Sequence, residues 1–160
     1  MEALPENLQE ETKRVSVYKK AVFLPPGMYR LNIVAKDLVG SNVTNFEEAL
    51  NVPRYDEETL ASSTMILADL LEKVPTRSIG TGPFVIGASK VRPRLSGAFG
   101  RGEKLGVYAQ FYNFAPDETT QKPNGSIQYE VTRDGSNLKV LDFTEDVSTI
   151  EGASANQVTV

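Results

Sequence analysis

The sequence predicts an all-β protein made of antiparallel strands, and three features support that prediction. Apolar and polar residues alternate with a period of two in several runs, which turns one face of a strand inward and the other toward water. β-Branched and aromatic residues are plentiful, and they fit the pleated surface of a sheet. Glycine and proline, at 12 and 9 positions, punctuate the chain often enough to separate short strands by tight turns.

Size and charge restrict the chain to one ordinary domain or two small ones. It has 160 residues, of which 40% are hydrophobic and 24% charged, as in globular rather than disordered proteins. The net charge of −4 argues against nucleic-acid binding, because neutralising phosphates needs a concentrated basic face. No stretch is apolar enough to span a membrane, and the acidic opening residues 1–6 do not resemble a signal peptide.

The chain contains neither cysteine nor histidine. Disulfides, thiolate nucleophiles, imidazole bases and zinc sites built on these residues are therefore excluded. An enzyme would have to work with carboxylates, lysine or tyrosine, and no two acids are marked as a catalytic pair. We expect no enzymatic activity and no cofactor.

The clearest strand follows a turn at Pro25-Pro26-Gly27, where two prolines fix φ and the glycine accepts the conformations of a tight turn. A turn at residues 38–42 and a return strand at 43–52 complete a hairpin. A shorter strand is predicted from residue 15 to residue 24. One face of the first hairpin strand is apolar and the other mostly polar, which predicts a half-buried strand. The apolar face carries Tyr29, Leu31, Ile33 and Ala35.

Residues 53–58 predict a boundary, because a proline stop precedes an acidic run. The segment that follows is ambiguous. Apolar residues and a threonine recur at helical spacing, which favours a helix over residues 56–74. The run at residues 63–69 can equally begin a new β-domain. The residues with helical spacing are Leu60, Thr64, Leu67 and Leu71.

Beyond residue 75 the pattern is typical of strands throughout. A short apolar run at residues 84–87 and the segment Val91-Arg92-Pro93, whose proline a central strand would not tolerate, precede a clearly alternating strand at 105–112. A polar loop at 115–125 leads to a strand at 127–132, a hairpin turn at 133–137 and a return strand at 138–143. A last strand is predicted at residues 157–160.

Several of these segments together resemble known families. The run from Leu24 to Leu31 is similar to the "PGxYxLxV" strand of immunoglobulin-like and fibronectin-type sandwiches. Over roughly residues 20–145 the chain also resembles C-terminal regions of large bacterial proteins, many acidobacterial and some carrying GWxTD domains. No GWxTD motif occurs here, so no function tied to that domain is implied. The further segments that carry this resemblance are Val52-Pro53-Arg54-Tyr55-Asp56-Glu57, Ser63-Thr64-Met65-Ile66-Leu67-Ala68-Asp69, Phe84-Val85-Ile86-Gly87, Lys90-Val91-Arg92-Pro93 and Leu105-Gly106-Val107-Tyr108-Ala109-Gln110-Phe111-Tyr112-Asn113.

The resemblance implies an immunoglobulin-like antiparallel β-sandwich of one or two modules, incomplete at both ends. Residues 1–53 would be the closing strands of a first sandwich, 54–62 a linker, and 63–160 the leading strands of a second, whose closing hairpin would lie past residue 160. Alternatively, the two parts form one composite sandwich. The resemblance favours a strand at residues 63–69, and we take strand there.

The same resemblance places Gly27 and Tyr29 in a tyrosine corner, whose hydroxyl bonds back to nearby backbone. It also implies a longer, exported polypeptide. We therefore expect a location in the cell envelope or outside the cell, with neighbouring domains of the same polypeptide as partners.

Two groups of residues are candidates for ligand binding. Tyr108 and Tyr112 would share the outward face of one strand, where exposed rings can hold a glycan or a peptide; alternatively, they pack under a loop or against a neighbouring domain. Arg92 and Arg94 belong to a basic stretch that suits an anionic ligand, glycan or surface partner. Solvated loops and edge charges that discourage sheet pairing explain the stretch equally well. It has no Asp or Glu between residues 73 and 102 and consists of Lys73, Arg77, Lys90, Arg92, Arg94 and Arg101.

Two acidic groups are candidates for calcium sites. They are Asp56-Glu57-Glu58 and the set Asp142, Glu145 and Asp146. Neither has the spacing of a calcium-binding loop, so capping or solubility is the favoured role and no metal is expected. The glycine-rich residues 97–104 lack phosphate-loop spacing and lead into a strand, which predicts a turn there.

These observations favour a non-catalytic structural or protein-interaction module that contacts neighbouring domains, another protein or a glycan. The alternative is a carbohydrate-binding module that uses the exposed tyrosines and the basic face. A small carboxylate-dependent enzyme is disfavoured, because the chain lacks histidine and cysteine.

Overall fold

A computed structural model describes residues 19–160, where the regular structure is β-strand apart from 3-10 turns at Thr76–Ser78 and Val147–Thr149. The all-β prediction is therefore confirmed, while the immunoglobulin-like arrangement stays a prediction. The strands are β1 (Gly27–Lys36), β2 (Val43–Val52), β3 (Ala61–Ser62), β4 (Ile66–Lys73), β5 (Val85–Ile86), β6 (Ser89–Pro93), β7 (Gly106–Tyr108), β8 (Gln110–Tyr112), β9 (Ser126–Arg133), β10 (Leu138–Asp146) and β11 (Gln157–Thr159).

β1 and β2 form a two-stranded antiparallel sheet that we call the first ribbon. All ten residues of β1 pair with a residue of β2, and the turn between the strands falls where the sequence predicts it. The carboxylate of Asp37 holds this turn by accepting a hydrogen bond from the amide of Val39 at 2.9 Å. The separate strand predicted for residues 15–24 is wrong for residues 19–24, and residues 15–18 lie outside the described part of the chain.

Tyr29 fastens the start of the first ribbon. Its hydroxyl donates a hydrogen bond to the carbonyl oxygen of Pro25 at 2.7 Å, four residues earlier. Its ring lies 3.5 Å from where a Cβ atom at Gly27 would be, so the ring covers this glycine. The contact is of the kind implied for a tyrosine corner, although the corner's place in an immunoglobulin-like sandwich stays a prediction.

A four-stranded antiparallel sheet with the order β5-β6-β4-β7 occupies the middle of the chain. β4 pairs with β6 on one edge and with β7 on the other. The helix favoured over residues 56–74 is therefore wrong, and the strand taken at residues 63–69 is present from Ile66 onward. Pairing on both edges outweighs the local helical spacing, because propensity is a weak preference that tertiary contacts override.

The strand predicted at residues 105–112 is interrupted at Ala109. β7 ends just before this residue in the four-stranded sheet, and β8 begins just after it at the centre of a three-stranded sheet with the order β11-β8-β3. Ala109 exchanges two backbone hydrogen bonds with Val160, each 3.0 Å long. The chain therefore passes from one sheet to the other at Ala109, and the alternation expected of one continuous strand is broken.

β9 and β10 form a second two-stranded antiparallel sheet, the second ribbon, and the predicted turn at residues 133–137 joins them. The register shifts between Lys139 and Leu141, which leaves Val140 as a bulge. The base of this ribbon enters the core through Ile127, whereas Val131 and Phe143 further along it are about half exposed.

The buried interior consists of two small clusters. One joins the base of the second ribbon to β11 and the loops beside it, and the other joins β4, β6 and β7. Their buried residues are Phe114, Ile127, Val147 and Val158 in the first, and Ala68, Val91 and Tyr108 in the second.

Residues 54–60, the first part of the predicted linker, contain no strand but are anchored by Asn113, the residue that follows β8. The side-chain amide of Asn113 donates hydrogen bonds to the carbonyl oxygens of Asp56 at 2.7 Å and Thr59 at 3.1 Å. The linker predicted at residues 54–62 therefore ends in β3, which pairs with β8. The assignment of residues 1–53 and 63–160 to two separate sandwiches stays a prediction.

Candidate functional site

Arg92 and Arg94, predicted to form a basic face, are both paired with the carboxylate of Asp69 on the neighbouring strand β4. Arg92 Nε lies 2.5 Å from Asp69 Oδ1, and Arg94 Nη1 lies 3.4 Å from Asp69 Oδ2. The hydrogen bond from Arg92 is the main reason that the pKa of Asp69 lies below its usual value of 3.8. The two arginines and Asp69 therefore form an ion cluster that links neighbouring segments of the four-stranded sheet.

A second carboxylate completes the ion cluster. Arg94 Nη2 lies 2.6 Å from Glu103 Oε2, and the same oxygen accepts a hydrogen bond from the amide of Gly100 at 2.6 Å. That amide bond, followed by the one from Arg94, lowers the pKa of Glu103. The guanidinium of Arg94 also lies 5.2 Å from the ring centre of Phe99. The stretch between residues 73 and 102 is thus partly neutralised by acids just outside it, which the sequence pattern did not reveal.

Tyr108 does not lie on an exposed face, so that part of the glycan interpretation is wrong. Its side chain is buried, with 3% of the residue exposed, against Ala68 and Val91. The reason is the sheet switch at Ala109, which separates Tyr108 from Tyr112. Burial raises the pKa of the Tyr108 phenol, and its hydroxyl has no hydrogen-bond partner within residues 19–160.

Tyr112 is half-buried and contacts the anchored linker. Its ring centre lies 5.6 Å from that of Tyr55, and its hydroxyl donates a hydrogen bond to Gln110 Oε1 at 2.9 Å. Tyr55 in turn donates from its hydroxyl to the carbonyl oxygen of Ser62 at 3.0 Å. Tyr112 therefore packs against the linker, which agrees with the alternative that it packs under a loop.

The acids weighed as calcium ligands make local hydrogen bonds instead. Asp56 accepts from the amides of Glu58 and Thr59 at 3.0 and 2.6 Å, and Asp146 accepts from the amide of Ser148 at 2.8 Å. The hydrogen bond from the Thr59 hydroxyl, followed by those from the Thr59 and Glu58 amides, lowers the pKa of Asp56. In the part of the chain that the structure describes, no group of three or more acidic, histidine or cysteine residues could hold a metal ion.

A cleft of about 420 Å³ lies between the four-stranded and the three-stranded sheets. Lys73 and Glu151 form an exposed ion pair across its rim. Its walls mix hydroxyl and amide groups with apolar side chains, and they include Thr76, Ser89, Gln110, Gln157 and Thr159 beside Ile79, Ile86 and Tyr108.

The largest departure from the predicted burial is on the first ribbon. Its alternation is as predicted, but the apolar side is uncovered: Ile33 is 52% exposed and Phe46, directly opposite on β2, is 53% exposed. We call this side the first face. Two neighbouring strands place on it Tyr29, Leu31, Ile33 and Ala35 from β1 and Thr44, Phe46, Glu48 and Leu50 from β2.

The outer part of the second ribbon has a similar side, which we call the second face; it is mostly uncovered, but Tyr129 on it packs against the core cluster of Phe114, Ile127, Val147 and Val158. At its base the rings of Tyr129 and Phe143 stack with centres 4.5 Å apart. Burial, followed by a hydrogen bond to Glu145, raises the pKa of Tyr129 to about 12. The residues of this face are Tyr129, Val131 and Arg133 from β9 and Leu138, Leu141 and Phe143 from β10.

No protein-family model, curated protein or solved structure matches this chain. Within residues 19–160 there is no helix long and apolar enough to cross a membrane.

Proposed function

We propose that this chain is a non-catalytic structural and protein-interaction module, immunoglobulin-like in type, within a larger bacterial cell-envelope or secreted protein. The observation that supports an interaction role is the uncovered first face. The largest contiguous apolar patch on a soluble monomer is often functional, and patches above a few hundred Å² mark sites of protein contact. A partner that covers this face is a neighbouring domain of the same polypeptide or another protein.

The architecture of the first ribbon supports the same conclusion. A two-stranded hairpin is marginally stable in water by itself and needs a further strand or a packed face. Here both outer edges of the ribbon lack a strand partner among the described residues, and the apolar side faces water. A bound protein surface supplies the missing contacts, as in strand addition and sheet packing.

Site-specific photocrosslinking in the producing cells tests this function. A photoreactive phenylalanine analogue in place of Phe46 lies on the first face, and the same analogue in place of Asn45 lies on the opposite, polar side. We expect protein adducts from position 46 and few or none from position 45. An absence of adducts at position 46, or equal yields at both positions, contradicts an interaction role for this face.

A second candidate function is binding of a small carbohydrate. The cleft between the two sheets favours it, because hydroxyl and amide groups beside apolar walls are typical of sites that hold polar, uncharged ligands. The tyrosine platform predicted from the sequence does not support it, since Tyr108 is buried.

A glycan array separates this candidate from the first. Saturable binding that is lost on Gln157→Ala but kept on Gln128→Ala, a matched change on the second ribbon outside the cleft, supports carbohydrate binding. No bound glycan, or equal loss in both variants, contradicts it.

A further inference from the structure

The two faces are alike in strand length and in having one apolar side, and they are complementary in charge. Both belong to two-stranded ribbons in which one side is apolar, and the strands have ten residues in the first and eight or nine in the second. Each face carries one charged residue that forms no ion pair within residues 19–160: Glu48 on the first and Arg133 on the second. The two charges are opposite in sign, so a contact between these faces can pair them.

The same alignment also matches large side chains with small ones. Residues on one side of a strand repeat every two positions, about 7 Å apart. Placing one residue of the first face opposite one of the second face therefore determines which of the other rows lie opposite each other. With Glu48 opposite Arg133, Phe46 and Ile33 lie over the smaller pair Val131 and Leu141. The next row places the small pair Ala35 and Thr44 over the stacked rings of Tyr129 and Phe143.

We propose that the first face of one copy packs on the second face of a second copy, with Glu48 paired to Arg133. The proposal rests on the interaction role argued above and identifies the partner as this chain itself. In this arrangement the turn of the first ribbon points toward the base of the partner's second ribbon. The apolar rows of both copies are buried, and Glu48 and Arg133 form an ion pair.

A single contact between the two faces is small, so we infer a closed dimer that makes this contact twice. Three rows about 7 Å apart on a ribbon about 10 Å wide cover about 200 Å², a quarter of what each partner gives to a standard interface. A two-fold dimer in which each copy supplies one face of each kind makes the contact twice, about 400 Å² per copy. That area is typical of weak association, so we expect a dissociation constant on the order of 100 µM.

Charge reversal in the full chain tests the proposal by sedimentation velocity between about 10 µM and 1 mM. We expect a concentration-dependent dimer that weakens about tenfold or more on Glu48→Arg or on Arg133→Glu. The variant that carries both changes should regain the wild-type dissociation constant within about threefold, because the pair is restored with its signs exchanged. Both sites are exposed, and circular dichroism checks that each variant keeps its strands.

The matched control is Glu47→Arg, one residue away on the opposite side of the first ribbon. It should dimerise as the wild type does. A monomer at every concentration, a double variant that does not recover, or equal weakening by the control overturns the proposal. In the Phe46 crosslinking experiment, an adduct of twice the chain mass supports it. An adduct with a different protein overturns it while the interaction role stands, and no adduct contradicts both.

Discussion

The most informative test of the core is Val158→Ala. Val158 on β11 is fully buried in the cluster with Phe114, Ile127 and Val147. The substitution removes two methyl groups, which costs about 1.6 kcal/mol of transfer free energy at about 0.8 per group. A rigid cavity of about 50 Å³ would add about 1.2 kcal/mol. Val160, only partly buried beside the cluster, can move into part of that space. We therefore expect a loss of about 2 kcal/mol in the free energy of unfolding.

Urea unfolding followed by circular dichroism measures this loss, and thermal unfolding should show a midpoint about 6 °C lower. The control is Val140→Ala at the bulge of the second ribbon, where the side chain is 60% exposed. That variant should stay within about 0.5 kcal/mol of the wild type. If Val158→Ala is equally mild, β11 does not close the core and the cluster assignment fails.

Three further outcomes are expected. Asp69→Asn should flatten the rise in the free energy of unfolding between about pH 3 and pH 5. The folded-state pKa of Asp69 is lowered, so its carboxylate stabilises the fold above pH 3.8 and that stabilisation is lost as the pH falls. An unchanged slope of stability against pH contradicts this. Tyr29→Phe removes a bond of about 1 kcal/mol and should speed amide exchange in the first ribbon about fivefold, with the second ribbon as control. Gly106→Ala should cost about 1–2 kcal/mol in urea unfolding, because a Cβ there lies 3.1 Å from Leu71 Cβ and 3.2 Å from the Ala68 carbonyl oxygen; wild-type stability contradicts it.

The strands of the hairpins could be predicted from the sequence because local rules determine them. Alternation and a turn of small residues specify a hairpin without help from distant parts of the chain, and both ribbons appear where the sequence places them. The segment around Leu67 differs, because its helical spacing is local while its strand is determined by β6 and β7 on either side. Only pairing with β6 and β7 decides between helix and strand, and both of these strands come later in the chain.

The candidate sites were harder to predict because they depend on where neighbouring strands lie. Asp69 and Arg92 pair across neighbouring strands although they are 23 residues apart in the sequence, and no spacing rule predicts such a pair. Tyr108 and Tyr112 alternate correctly for a shared face, yet the passage between sheets at Ala109 separates them. One signal was available: Ala109 is a small residue directly after Tyr108, and a small residue permits the close approach of another chain segment, here Val160.

The exposed faces connect stability with association. Only eight hydrophobic residues are buried in the described part of the chain, whereas the rows on the two ribbons face water. Burial drives folding in proportion to the apolar area removed from water, so these rows contribute little until something covers them. A ligand that binds only the folded form stabilises it by mass action, and a second copy is such a ligand. The order of the first ribbon should therefore depend on protein concentration, because the proposed partner covers the apolar side that the ribbon leaves in water.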